Sequence, residues 1–193
     1  MIRVLLGIAL SIFVVAAPVA IHAQERPAPL SVPACTEELF ENAETSFRMR
    51  RRGSGALFKA ERELKEVVSR CAETPGAYQA AEHLKVTQEE LANSRFHVAV
   101  FYLDRFAAGK GGKQGALARL KDIVDKYPQY SKLDQVLSLL GKMNIADGNP
   151  DEAAIYYCRL IKDFPGSEYV GEASLALKAI EAMKIEKGPI PRP

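Results

Sequence analysis

The sequence predicts an all-α fold, a solenoid of antiparallel helix pairs, and three observations carry this prediction. Apolar residues recur at helical spacing from Thr36 onward and almost nowhere alternate as they would in a strand. Two stretches that begin at Ala116 and Ala153, 37 positions apart, follow one pattern of small, large and aliphatic residues. Each ends in an aromatic–proline pair, Tyr127-Pro128 or Phe164-Pro165, and proline stops a helix. A repeated helical unit indicates a protein class that binds other proteins far more often than it catalyses.

The first residues favour a cleaved secretory signal peptide at 1–23. Arg3 supplies a cation, and an apolar run follows at 4–21 before the sequence turns polar. An uncleaved anchor is the alternative, but the run is short and Pro18 interrupts it. Cleavage would start the mature chain near Gln24 and place it in an oxidising compartment, the periplasm.

The mature chain divides into a linker, a domain and a tail. Residues 24–35 contain three prolines and no apolar period, which predicts an extended linker. Residues 36–187 are enough for one helical domain with a continuous core, and 188–193 form a disordered tail. Basic and acidic residues are nearly balanced, 26 against 24, so overall charge does not point to nucleic acid or acidic lipid.

Apolar periodicity predicts seven helices, and two of them carry recognisable start signals. Asn149 is expected to cap the helix that begins at Pro150, with Glu152 reaching back, and Thr74-Pro75 opens another helix in the same way. The predicted helices are 36–51, 56–71, 75–108, 113–127, 132–147, 150–163 and 168–186.

The first two helices form a pair joined by the Gly53-Ser54-Gly55 turn. A degenerate third copy of the repeated pattern lies in the second of them, at Ala60, Leu64 and Val67. The distance from this copy to Ala116 exceeds one repeat, and the helix at 75–108 absorbs the surplus by being unusually long or bent near Asn93-Ser94. The array therefore holds about three repeats.

The last pair matches the tetratricopeptide repeat best. That repeat has a leucine–glycine step in its first helix, an alanine and an aromatic residue in its second, and a terminal proline. Leu140-Gly141, Ala153, Tyr157 and Pro165 occupy these positions, and Gly141 is expected to let the helix with Ala153 approach closely. The helix at 168–186 then caps a tetratricopeptide-like solenoid.

A closer resemblance lies in the block QEELANSRFHVAVFYLDR, Gln88 to Arg105, followed by ALARLKDIVDKYP and CRLIKDFPGSEY. Over roughly Ala56 to Leu177 the chain resembles the outer-membrane assembly lipoprotein family, BamD (YfiO). The resemblance implies a scaffold, associated with the outer membrane, that binds components of the β-barrel assembly machinery. The chain departs from the family in having about three repeats rather than five and no lipid-attachment cysteine directly after the apolar run.

Three cysteines are present, and an oxidising compartment favours pairing two of them. Cys35 precedes the first helix and Cys71 ends the second, so an antiparallel pair brings them together. We predict a Cys35–Cys71 disulfide; three reduced thiols are the alternative. Cys158, inside the second helix of the last pair, is expected to be a packing residue.

No catalytic, cofactor or metal site is predicted. His83 and His97 lie 14 positions apart, which is about 21 Å along a helix, and neither has a second ligand nearby. The glycines and lysines of Gly109–Lys113 indicate an interhelical turn, because no strand precedes them and no phosphate-loop Gly-Lys-Ser/Thr follows. The pairs Glu37-Glu38 and Glu89-Glu90 are expected to be solvated.

The arginine run Arg48 and Arg50 to Arg52 ends a helix, where cations favour the dipole; contact with anionic lipid or an acidic partner is the alternative.

A partner-binding groove is the remaining functional candidate, because first helices line the concave side of tetratricopeptide arrays. Aromatic and arginine residues commonly anchor such surfaces, although an aromatic there can equally pack against a neighbouring helix. The candidates are Phe101, Tyr102 and Arg105 in the middle repeat and Gln135, Ser138 and Lys142 in the last.

The sequence thus favours a non-enzymatic periplasmic scaffold that contributes to outer-membrane protein assembly. An adaptor for envelope synthesis or division is the second hypothesis. A small hydrolase using Glu or His is the third, and the absence of a convergent acid, base and nucleophile in the sequence argues against it.

Overall fold

The computed structural model describes residue 35 and residues 37–105 and 110–186, and its regular structure in these residues is helical throughout. The all-α prediction is confirmed for this part of the chain. The predicted signal peptide, nearly all of the predicted linker and the tail fall outside it. The helices are α1 (Glu37–Met49), which continues into a 3-10 turn (Arg50–Arg52), α2 (Ser54–Arg70), α3 (Pro75–Arg105), α4 (Lys110–Lys126), α5 (Leu133–Ala146), α6 (Pro150–Asp163) and α7 (Val170–Glu186).

The length of α3 agrees with one of the two sequence-based alternatives, whereas the start of α4 differs from expectation. α3 is one continuous helix of 31 residues, so the surplus length is taken up without a break at Asn93-Ser94. α4 begins at Lys110, which places Gly111 and Gly112 in its first turn instead of an interhelical turn.

The two predicted helix starts have different outcomes. The Thr74 hydroxyl accepts a hydrogen bond from the Ala77 N–H at 3.2 Å, as a capping residue should. The Asn149 side chain makes no capping bond, so that prediction was wrong. Its backbone instead completes the end of α5: the Asn149 N–H donates to the Asn144 carbonyl at 2.8 Å, and Gly148 takes the left-handed conformation with φ of 75°.

The buried residues form two clusters. The N-terminal core joins α1, α2 and the first half of α3. The C-terminal core begins at Leu91 in α3 and extends through α4, α5 and α6 to Ile180 in α7. Each helix packs against the next along the chain, so contacts are made mainly between sequence neighbours. Among the helices that the structure describes, α3 alone supplies buried residues to both cores.

The repeated pattern marks buried positions in all three copies. Ala60, Leu64 and Val67 lie in the N-terminal core, and the equivalent residues of α4 and α6 lie in the C-terminal core. Gly141 in α5 faces the Tyr157 ring of α6, and a Cβ at Gly141 would overlap that ring. The close approach predicted at Gly141 is therefore real, but Tyr157 rather than Ala153 fills the space.

Replacing Gly141 by alanine should destabilise the chain by about 1–3 kcal/mol, because the added methyl group displaces the Tyr157 ring from a packed core. Urea unfolding followed by circular dichroism measures the change. The matched control is Gly55→Ala in α2, where no atom lies within 4 Å of an added Cβ. Equal stability of G141A and G55A would show that the contact does not limit packing.

Cys35 and Cys71 form a disulfide in the structure, with their Cα atoms 5.5 Å apart. These are the two cysteines whose pairing the sequence favours, and they join the start of α1 to the end of α2. Cys158 has a free, exposed thiol, so the expectation that it packs in the core was wrong. It follows Tyr157 by one position, and that step of about 100° turns it away from the buried side of α6.

Reduction of the disulfide should lower the free energy of unfolding by about 3–4 kcal/mol, because a loop of 36 residues is no longer closed in the unfolded chain. Denaturant unfolding of the Cys158→Ser variant, with and without reductant, measures this fall in the free energy of unfolding. Removing the Cys158 thiol prevents its exchange with the disulfide. The variant C35S/C158S should match the reduced protein and should not respond to reductant. A response in that variant would mean that reductant acts elsewhere.

Candidate interaction surface

The second half of α3 carries an exposed aromatic side chain held beside a fixed one. Phe101 is 52% exposed, and its ring meets that of Tyr102 nearly edge-on, with centroids 6.2 Å apart. Tyr102 in turn lies under the Arg119 guanidinium of α4, 4.6 Å from its ring centroid. Val98, one turn before Phe101, is also exposed. Tyr102 thus packs against α4 while Phe101 and Val98 face solvent; the side chain of Arg105 is outside the described residues.

The three α5 candidates do not share one environment. Gln135 is half-buried, and Lys142 is exposed and pairs with Glu172 of α7 at 2.8 Å. Ser138 is buried, so its placement in an open groove was wrong. α5 packs against both α4 and α6, which leaves only a narrow stripe to solvent. Leu139, four positions after Gln135 and three before Lys142, lies on that stripe and is half-buried.

A cleft of about 580 Å³ lies between the middle of α3 and the α4–α5 connection. The Glu89 carboxylate accepts hydrogen bonds from the backbone N–H and the hydroxyl of Ser131, and the Tyr130 hydroxyl donates to the Asn93 side-chain oxygen at 3.1 Å. These bonds fix the connection against α3. The cleft is lined by Lys85, Val86, Gln88, Glu89, Glu90, Tyr127, Gln129 and Tyr130.

Sequence reasoning missed this cleft because its two sides are about 40 residues apart along the chain. Tyr127 was identified only as the aromatic residue that ends a repeat. Burial raises the pKa of the Tyr130 hydroxyl to about 12 and also raises that of Tyr127. Both phenols therefore stay protonated at neutral pH and can act as hydrogen-bond donors.

Members of the arginine run and of the pair Glu89-Glu90 make contacts within the fold. Arg50 donates to both carboxylate oxygens of Glu90, at 2.9 and 3.2 Å, and lies over the Phe47 ring. Arg51 pairs with the same carboxylate. Glu90, like Glu89, is therefore engaged in a contact within the fold, and the expectation of a solvated pair was wrong for Glu89-Glu90. The bidentate Arg50–Glu90 contact holds the end of α1 against α3.

His83 is a packing residue beside a small cavity. Its ring stacks on Phe47 with centroids 3.8 Å apart and planes within 5°. Nδ1 is buried 3.1 Å from a Glu44 oxygen, but the two atoms are not aligned for a hydrogen bond. The adjoining cavity measures about 230 Å³. His97 is exposed, and within the described residues no three His, Cys, Asp or Glu side chains converge as metal ligands.

The contact of Lys121 in α4 with Glu152 in α6 is polar. The Lys121 ammonium donates to a Glu152 carboxylate oxygen at 3.1 Å, and the Tyr156 hydroxyl donates to the same oxygen. The hydrogen bond from Lys121 lowers the pKa of Glu152, and the same bond raises the pKa of Lys121. Glu152 is thus committed to a contact between helices, which is why it does not reach back to the start of α6.

No known protein family and no characterised protein matches the chain in sequence comparisons. None of the helices in the described part of the chain has the length and apolar character needed to cross a bilayer.

Tyr130→Phe should make the chain less sensitive to alkaline pH. In the unfolded chain tyrosine has a pKa of 10.0, below the folded value of about 12, so the folded state holds its proton longer and stability falls as pH rises between these values. Unfolding free energies measured across this range should fall less steeply for Y130F than for the wild type. The exposed Tyr78 provides the control variant, Y78F, which should retain the wild-type slope.

Proposed function

We propose that this chain is a non-enzymatic scaffold whose helix pairs form a tetratricopeptide-like array of about three repeats capped by α7. The pairing of successive helices, the burial of the repeated positions and the Gly141–Tyr157 contact support this proposal. In such an array the fold itself supplies a rigid surface, and partners bind to side chains that the packing leaves exposed.

The proposed setting is the periplasm, with peripheral association at the outer membrane. The resemblance of Gln88 to Arg105 and the following helices to the BamD family suggests partners in the β-barrel assembly machinery. A role as an adaptor in envelope synthesis or division is the second candidate. The Cys35–Cys71 disulfide fits an exported protein in either case.

Phe101 is the observation that carries the proposed binding role. An exposed aromatic side chain is a common anchor of protein–protein interfaces, because covering it removes a large apolar area from water. The adjacent Tyr102 ring is held by Arg119 and gives Phe101 a fixed neighbour. Val98 extends the apolar surface by one turn, and the cleft at Tyr127 and Tyr130 lies nearer the middle of α3.

A photo-reactive amino acid at position 98, used in intact cells, should crosslink a partner protein that mass spectrometry can identify. Phe101→Ala should weaken this binding by about tenfold or more, because truncating a central aromatic anchor removes most of its contact area. Tyr78→Ala is the matched control: Tyr78 is also an exposed aromatic of α3 but lies in its first half.

A β-barrel assembly component among the crosslinked proteins would support the BamD-like role, and an envelope-division protein would favour the adaptor. Equal loss of crosslinking in F101A and Y78A would show that the second half of α3 is not the binding surface. Thermal unfolding of both variants separates loss of binding from loss of folding.

A further inference from the structure

The last helix, α7, has apolar side chains on the side that faces away from the rest of the fold. Ala173 and Ile180 are buried against the C-terminal core. On the opposite side Leu175 is 68% exposed and Ile185 is 75% exposed. The helix that ends a repeat array normally has a polar outer side, because no further repeat covers it. Leu175 and Ile185 depart from that pattern.

Small residues accompany these two side chains. Gly171 and Ala182 lie on the same outer side and are exposed, and a Cβ added at Gly171 would meet no atom within 4 Å. Positions 171, 175, 178, 182 and 185 follow the spacing of four and three residues that defines one side of a helix. A second helix could approach this stripe closely between Leu175 and Ile185. We call these five positions the α7 stripe.

The charges on α7 fall into two groups. Glu172 and Lys184 are used within the fold, by ion pairs to Lys142 of α5 and Asp151 of α6. Lys178, on the α7 stripe, and Glu181, at its edge, are exposed and pair with no other described residue. One cation and one anion thus remain available beside the apolar side chains.

We propose that the α7 stripe binds the same stripe of a second copy of this chain, with the two helices antiparallel. A two-fold axis level with Ile180 places Leu175 of each copy level with Ile185 of the other. The same axis places Lys178 within one residue of the level of Glu181 in the second copy, on the same edge of the contact. Two ion pairs then lie between two apolar contacts, and each contact occurs twice, as in an isologous interface.

The charge pattern favours a second copy over other occupants. A different protein would have to supply an acid, a base and two apolar side chains in matching order, whereas a second copy brings all four automatically. Salt pairs at the edges of helix contacts set orientation and partner choice, and here they select the antiparallel arrangement. This interface lies apart from Phe101, so the proposal does not depend on the proposed function.

Sedimentation equilibrium of the mature chain across micromolar concentrations tests the proposal. The wild type should dimerise reversibly. Leu175→Glu should raise the dimer dissociation constant about tenfold or more, because it places a carboxylate against the apolar side chain of Ile185 in the second copy. The control is Ile155→Glu in α6, another exposed apolar residue, which should dimerise as the wild type does. Circular dichroism checks that both variants remain folded.

Charge reversal separates the interface from a general change in solubility. Lys178→Glu and Glu181→Lys should each weaken the dimer, whereas the double variant K178E/E181K should return to within about threefold of the wild type. A monomeric wild type at every concentration overturns the proposal. So does a monomer that dimerises only after removal of residues 187–193, since the chain would then cover its own α7 stripe. Additive loss in the double variant also overturns it.

Phe101→Ala should leave dimerisation unchanged, and Leu175→Glu should leave crosslinking at position 98 unchanged. Failure of either proposal can therefore be recognised without reference to the other.

Discussion

The continuity of α3 is the constraint on which the rest of the structure depends. Its first half completes the N-terminal core and its second half begins the C-terminal core. Between them, Thr87 is fully buried, and its hydroxyl donates to the His83 carbonyl at 2.8 Å. This buried hydroxyl therefore has a hydrogen-bond partner where the two cores meet. Arg95 spans the same junction, with its guanidinium 5.1 Å from the ring centroids of Phe58 in α2 and of Tyr127, which follows α4.

Because α3 is shared, the surfaces of the two cores are fixed relative to each other along its length. The bidentate Arg50–Glu90 pair holds the end of α1 to the middle of α3, and Glu89 holds the α4–α5 connection there through Ser131. The cleft forms where these two attachments flank one stretch of helix. Glu89 and Glu90 thus hold other parts of the chain in place against α3. These contacts make α3 a rigid support for the exposed side chains near Phe101.

Periodicity predicted the helices well because it records which side of each helix is apolar, and burial follows from that side. Ala116, Ala153 and Ala60 are fully buried for this reason. The predictions for Ser138 and Glu152 failed because contact with a second neighbouring helix decided the environment of each side chain. Ser138 is buried because α5 is covered on two sides, and Glu152 is occupied by Lys121 from another helix. The pattern of residues within one helix does not show where a second neighbouring helix will pack.

The sequence by itself determined the all-α class, most helix boundaries to within a few residues, and the small residue that admits Tyr157, since each depends on residues within a few turns of one another. It also favoured the pairing of Cys35 with Cys71, because the short turn between the first two helices brings their outer ends together. The tertiary structure alone decided the cleft and the exposed side of α7. Those features depend on which helices meet and which have no further neighbour, and packing settles both at long range.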